Sequence, residues 1–232
     1  MRPYAGLIVV FAKQPRPGRV KTRLCPPLEP AEAAELYACL LEDVLQATAG
    51  FARSLGLDAV LAVDPAEACA ALARLAPTPF RVVRQRGPEL GSRMGWAVRE
   101  AQACGAQRVL LRGSDSPFLD GSMLAAALAA LERADLVLSP DRDGGYGLVG
   151  LRRFVPELFA HPMSRRSVLE DTLASARRSG LTHELLDPGF DIDTARDLAL
   201  LAVARESAQA ELCPRTLALM DARDFWRFAE RG

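Results

Sequence analysis

Four short stretches of this sequence concentrate side chains able to do chemistry. Residues 13–23, KQPRPGRVKTR, carry Lys13, Arg16, Arg19, Lys21 and Arg23 with no acid among them. Arginine offers forked donors and lysine a compact charge, so Lys21, Thr22 and Arg23 could grip a polyphosphate. The stretch is not a P-loop, because Arg19 and Val20 stand between Gly18 and Lys21, where that motif needs glycine directly before its lysine. No Gly-x-Gly-x-x-Gly follows the preceding apolar run, which argues against a dinucleotide-dependent dehydrogenase. Pro15, Pro17 and Gly18 shape the loop instead.

The other three stretches are acidic. GSDSPFL (113–119) presents Asp115 at the end of an apolar run, with Gly113 allowing close approach. Asp120 and Ser122 already supply the cap of the next helix, so Asp115 is available for other work. PDRDGGYGLVGL (140–151) reads most simply as a tight turn between strands. Asp141 and Asp143 are its acid candidates, and Gly144 and Gly145 would let a ligand approach the backbone. In DIDTARDL (191–198), Thr194 and Asp197 form a capping box, which leaves Asp191 and Asp193 unexplained. Two residues apart in extended chain, they face the same way and repel, a cost that a cation would resolve. Carboxylates without a His or Cys cluster select a hard divalent ion, Mg²⁺ or Mn²⁺; His161 and His183 receive no role. Basic loop and acids together suit a nucleoside diphosphate or triphosphate, with metal and cations neutralising charge on a departing phosphate oxygen.

An alternation of strands and helices must position these stretches. Apolar runs at 6–12, 58–64, 80–85, 108–115, 134–139, 146–151 and 182–186 read as strands. Helical spacing appears at 30–50, 65–76, 91–105, from Asp120 through SMLAAALAALERA, and at 167–180, 195–210 and 214–231. This order predicts an α/β fold: one domain over 1–232, a three-layer α/β/α sandwich with a mostly parallel sheet. The strands at 134–139 and 146–151 follow one another directly, which implies one antiparallel or edge strand. In such sheets the ligand lies at the carboxyl ends of the strands, where all four stretches fall.

Lys plus Arg equals Asp plus Glu at 29 each, so net charge gives no reason to expect nucleic acid or a membrane surface as partner. The charge is nevertheless uneven, since no acid precedes Glu29. Five cysteines, an odd number without a Cys-x-x-Cys pair, imply a reducing compartment and no zinc site. No run approaches the ~20 apolar residues that span a bilayer, and the expected location is the cytoplasm.

FAKQPRPGRVKTRL, LGSRM, GSDSP, DGGYGLVGL and DIDTARDL, in this order, resemble a bacterial family of GT-A-type transferases, some assigned as glycosyltransferases of arsenosugar biosynthesis. The plan is similar to that of 2-phospho-L-lactate guanylyltransferase and, more distantly, molybdenum cofactor guanylyltransferase. The resemblance covers about residues 7–200. It implies a nucleotide-diphospho-sugar transferase fold binding nucleotide at the first strand's end, around Ala12, Lys13, Gly18, Lys21, Thr22, Arg23, Ser114, Gly144 and Gly145. It implies that Asp115 and Asp193, with Asp191, hold the metal. Lys13, Lys21 and Arg23 would lie near the phosphates, and Arg93 of LGSRM on the nucleotide or acceptor side. Lys21, Arg23 and Asp143 would carry catalysis. Ser114 and Ser116 stand where Thr and Cys are expected. Gly147 replaces a second aromatic and MSRRSVL a Trp-Ser-Thr stretch, both where a small-molecule acceptor would sit. The C-terminal helical extension, about 200–232, falls outside the match and serves packing or a homodimer contact. The leading expectation is glycosyl transfer from a nucleotide sugar. The alternatives are nucleotidyl transfer from an NTP to an anionic acceptor, favoured by the basic density of 13–23, and a nucleotide-binding module without turnover.

Overall fold

The structure, a computed structural model, describes residues 6–163 and 165–229. Seven strands form one sheet in the order β3-β2-β1-β4-β6-β5-β7. They are β1 (Leu7–Lys13), β2 (Asp58–Asp64), β3 (Phe80–Arg84), β4 (Val109–Gly113), β5 (Leu136–Pro140), β6 (Tyr146–Leu151) and β7 (His183–Leu185). Every neighbouring pair is parallel except those made by β6, which runs antiparallel to both β4 and β5. The odd strand anticipated from the sequence is therefore real, but it lies inside the sheet rather than at its edge.

Alternation along the strands builds two cores. Leu7 and Val9 of β1, Leu111 of β4 and Val149 of β6 face one way, onto α3 (Leu90–Ala103) and α5 (Val168–Arg178). Ile8 and Val10 of β1, Leu110 and Leu148 face the other, onto α1 (Pro30–Leu55) and α4 (Gly121–Ala130), with the short α2 (Cys69–Ala73) beside them. Helices on both faces make the three-layer α/β/α sandwich.

Helix α1 outlasts its expected end at residue 50 because its apolar stripe continues through Ala49 and Ala52, both fully buried. It stops at Gly56, whose left-handed φ of 68° closes the end. The stretch 195–210 divides into a 3₁₀ turn (Ala195–Asp197), α6 (Leu198–Arg205) and a second 3₁₀ turn (Ala208–Leu212). The stretch 214–231 is not a single helix. It splits into α7 (Pro214–Ala222) and α8 (Trp226–Ala229), with Asp224 between them at a φ of 50°. Residues 230 and 231, and residue 164 within MSRRSVL, lie outside the described residues. Helix α7 is tied down by the buried Asp43 of α1, which accepts from the Thr216 hydroxyl and N–H, both at 2.8 Å, and from the Arg215 N–H. Among the described residues, no helix is long and apolar enough to cross a membrane.

Candidate functional site

The carboxyl ends of β1, β2, β4 and β5 and the amino end of β6 open into one cleft of about 740 Å³. The antiparallel direction of β6 brings this about: the turn from Pro140 to Tyr146 lies on the same edge as the loops leaving the parallel strands.

The basic loop enters the cleft because two apolar residues pin it. Val20 packs with Ala34 and Tyr37 of α1, and Leu24 is fully buried against the same helix. Lys21, between these anchors, takes a left-handed conformation (φ 48°, ψ 37°), which few non-glycine residues adopt. Its side chain, only 4% exposed, runs inward, and its Nζ donates to Asp115 Oδ2 at 2.7 Å and Asp193 Oδ1 at 2.6 Å. Arg23 reaches the other oxygen of Asp193 from the rim at 3.3 Å. Burial alone would lower the Lys21 pKa, but the two carboxylates outweigh it and hold the ammonium above the usual lysine range. Asp115 would be pushed up by burial; Lys21 reverses that and keeps it below the usual carboxylate range.

Asp115 projects from the loop after β4, where a Cβ on Gly113 would stand 2.7 Å from its Oδ1. Any larger residue there would push that carboxylate oxygen out of its present position. Beneath the loop lies Arg112, only 2% exposed. It donates to the carbonyls of Ser116 (2.6 Å), Leu119 (3.2 Å) and Gly113 (3.3 Å) and to the Thr48 hydroxyl (3.0 Å). Burial lowers its pKa to about 10, opposed by Asp191 and Asp115 nearby. Tyr37 performs a similar task at β1. Its hydroxyl accepts the Lys13 N–H at 2.9 Å and bonds Ser114 Oγ at 2.7 Å, while burial pushes its phenol up to about 12.

Asp191 and Asp193 both line the cleft, yet they take different partners. Asp193 meets Lys21 and Arg23, whereas Asp191 accepts from Ser116 Oγ and shares a hydrogen bond with Asp141. Burial, then Asp115 and Asp141, push Asp191 well above the ordinary carboxylate range; burial, helped by Asp143, also raises Asp141. The capping box of Thr194 and Asp197 forms as its spacing implies, and Asp197 also takes the Asp193 N–H at 3.0 Å.

Across the cleft, Arg93 of α3 pairs with Asp64 at 3.0 Å and Gln85 Oε1 at 3.3 Å. Gln85 is itself fixed by donating to the Ala12 and Ala62 carbonyls. Ala12, Lys13, Thr22, Ser114, Asp143 and Gly145 also line the cleft, and Asp143 accepts the Gly145 N–H at 3.1 Å.

Two expected residues stand outside this cleft, although Gly144 lines the smaller hollow beside it. Gly18 does not line the cleft and supplies a left-handed turn in the exposed loop, with φ 70°. Gly144, also left-handed at φ 90°, makes room for the chain itself: any Cβ there would collide with the Arg166 carbonyl. Conversely, sequence reasoning passed over Tyr37, Asp64, Gln85 and Arg112. Arg112 had a visible signal, a cation inside the apolar run RVLLRG. Tyr37 lay on the apolar stripe of α1, where a buried phenol must find a polar partner.

The donor set suits a hard divalent ion. The acids at the centre are oxygen donors that repel one another, and among the described residues no histidine or cysteine lines the cleft. Among the described residues, however, no three acids already converge on one point, since the Lys21 ammonium occupies the place between Asp115 and Asp193.

Sheet order, cleft and polar lining define a transferase of the nucleotide-diphospho-sugar transferase fold. A protein assigned to that class from Desulfovibrio desulfuricans G20 superposes with a TM-score of 0.85 at 31% identity, covering 97% of this chain and 98% of its own. Residues 48–165 match the family described as "Uncharacterized protein conserved in bacteria (DUF2064)", and the chain belongs to that family. It is also similar to the 3-phospho-D-glycerate guanylyltransferase of Phenylobacterium zucineum (strain HLK1). That match is 34% identical over 218 residues and covers 89% of this chain and 93% of the relative. The phosphoenolpyruvate guanylyltransferase of Chloroflexus aggregans is 30% identical over 194 residues, covering 81% and 93%. These relatives support nucleotidyl transfer more directly than the glycosyl transfer that led the expectations.

Proposed function

We propose that this chain transfers a guanylyl group from GTP to the phosphate of a small phosphorylated acid. The observation that carries the reading is the Lys21 bridge, which sets a buried cation between Asp115 and Asp193 at the mouth of a basic loop. An acceptor phosphate oxygen attacks the α-phosphorus and a new P–O–P bond forms. The bond from the α-phosphorus to the bridging oxygen breaks, and its electrons leave on pyrophosphate. An ionised phosphate needs no proton removed before it attacks, which agrees with a cleft that has no histidine among its described lining. Asp115 and Asp193, joined by Asp191, would hold Mg²⁺ or Mn²⁺, which when bound supplies charge neutralisation for the departing pyrophosphate. Lys21, Arg23 and Lys13 bind the triphosphate from the loop side, with Arg19 beside them. On the β2 side, Arg93 offers donors to guanine O6 and N7, and Asp64 accepts from its amino edge.

Two observations favour a second reading, glycosyl transfer from a nucleotide sugar: the assignment of the Desulfovibrio structure, and Asp143, which could deprotonate an acceptor hydroxyl. Incubation with Mn²⁺ separates the readings. GTP with 3-phosphoglycerate or phosphoenolpyruvate should release pyrophosphate and yield a guanylylated acid by mass spectrometry. No pyrophosphate from any triphosphate, together with sugar transfer and nucleoside diphosphate release from nucleotide sugars, would establish the second reading.

A further inference from the structure

A second concavity of about 530 Å³ adjoins the main cleft and shares Arg23, Asp141, Asp143, Asp191 and Asp193 with it. Its remaining wall carries three arginines from separate segments: Arg142 of the β5–β6 turn, Arg166 ahead of α5 and Arg196 ahead of α6. Among the described residues, no carboxylate pairs with any of their guanidinium groups. Unpaired arginines occur elsewhere on this surface, for example Arg99, but these three share a hollow that opens onto the Lys21 centre.

Each is also held locally. The Arg142 guanidinium stacks over Phe190 at 5.2 Å from the ring centroid. The Arg166 backbone is locked against Gly144, whose missing Cβ admits its carbonyl, and the Gly144 carbonyl accepts the Leu169 N–H at 3.0 Å. Arg196 rides on the 3₁₀ turn closed by the Thr194–Asp197 capping box. The acids that share the hollow are largely engaged. Asp193 faces Lys21 and Arg23, Asp191 faces Ser116 and Asp141, and Asp197 accepts from Thr194 and Asp193. A cationic wall beside carboxylates that would hold a metal ion suits a ligand with anionic charge at both ends.

We infer that this annex holds the acceptor, with the carboxylate that takes no part in transfer seated on Arg142, Arg166 and Arg196 and the phosphate directed toward Asp193 and Lys21. The inference rests on the guanylyl-transfer reading for the order of the two groups. The arginine wall would thus discriminate among acceptors by their second anion, independently of the nucleotide.

Calorimetric titration with 3-phosphoglycerate and with glycerol 3-phosphate, which lacks the carboxylate, tests this. It is run on the wild-type chain, on the double variant Arg166→Gln/Arg196→Gln, and on Arg99→Gln as a control. Each is measured alone and with Mn²⁺ plus α,β-methylene-GTP. The wild type and Arg99→Gln should bind 3-phosphoglycerate about tenfold or more tighter than glycerol 3-phosphate, as expected for one charge-assisted contact to the carboxylate. The double variant should lose that preference while its affinity for the GTP analogue stays within about twofold. No carboxylate preference in the wild type under either condition, or a preference that survives in the double variant, would overturn the inference. Neither titration reads turnover, so a failure of guanylyl transfer shows separately, as missing pyrophosphate release.

Discussion

Replacing Lys21 with methionine keeps the length and apolar body of the side chain and deletes its charge. In the native chain the Lys21 side chain is 4% exposed, and its ammonium lies 2.7 and 2.6 Å from carboxylates whose side chains are 28% and 34% exposed. Deleting one partner of a buried ion pair costs about 3–5 kcal/mol. Because both acids retain solvent contact, screening reduces this to about 2–3 kcal/mol. For a domain of this size that corresponds to melting about 5–10 °C lower, measured by circular dichroism in EDTA. The vacated position between Asp115 and Asp193 is then an oxygen-lined cation site with nothing in it. Mn²⁺ at about a hundred times its dissociation constant should return about 2.7 kcal/mol, restoring most of the loss. In the wild type the ion competes with the ammonium, so its stabilisation is smaller. GTP affinity should fall in the variant even with Mn²⁺, because the phosphates lose a donor. An unchanged melting temperature in EDTA, or a larger Mn²⁺ shift in the wild type than in Lys21→Met, would refute the reasoning.

Arg112→Met should destabilise the chain by about 3–5 kcal/mol, since it orphans carbonyls that Arg112 now satisfies beneath the Asp115 loop; a loss under 1 kcal/mol in chemical denaturation would count against that role. Asp191 has a pKa raised in the folded state, so its contribution to stability is fully present below the ordinary carboxylate range and is lost as pH rises through its folded value. Metal-free Asp191→Asn should therefore lose less stability than the wild type as pH rises toward neutrality, and gain less from Mn²⁺. Parallel stability–pH curves for the two proteins would exclude this account.

Much of the fold was legible because the five inner strands, buried on both faces, read as continuous apolar runs, and the less buried β3 and β7 also appear where strands were expected. The two successive runs around the Asp-Gly-Gly turn gave away the antiparallel strand, but its insertion between β4 and β5 depends on which edges pair, which periodicity does not encode. The break at Asp224 was hidden because helical spacing persists on both sides of it. For the site, residue types at strand ends brought most candidates to one cleft. What stayed hidden was partnership at long range: Lys21 meets acids 94 and 172 positions away, and nothing local marks its left-handed backbone. The packing role of Gly144 was hidden too, because a glycine that admits a ligand and one that admits the chain's own carbonyl look alike in sequence.

The reversed direction of β6 has a bearing on how such a protein can diversify. Its first residue, not its last, stands at the working edge, so the chain leaves Leu151 at the far edge and must cross the molecule before Met163 and Arg166 rejoin the rim. Among its described residues, that returning segment makes no strand of the sheet that carries Lys13 and leads into Asp115. Lengthening, shortening or exchanging it between related chains would remodel the wall beyond the acids while the basic loop and Asp115 stay as they are, so one face of the cleft can change without disturbing the other.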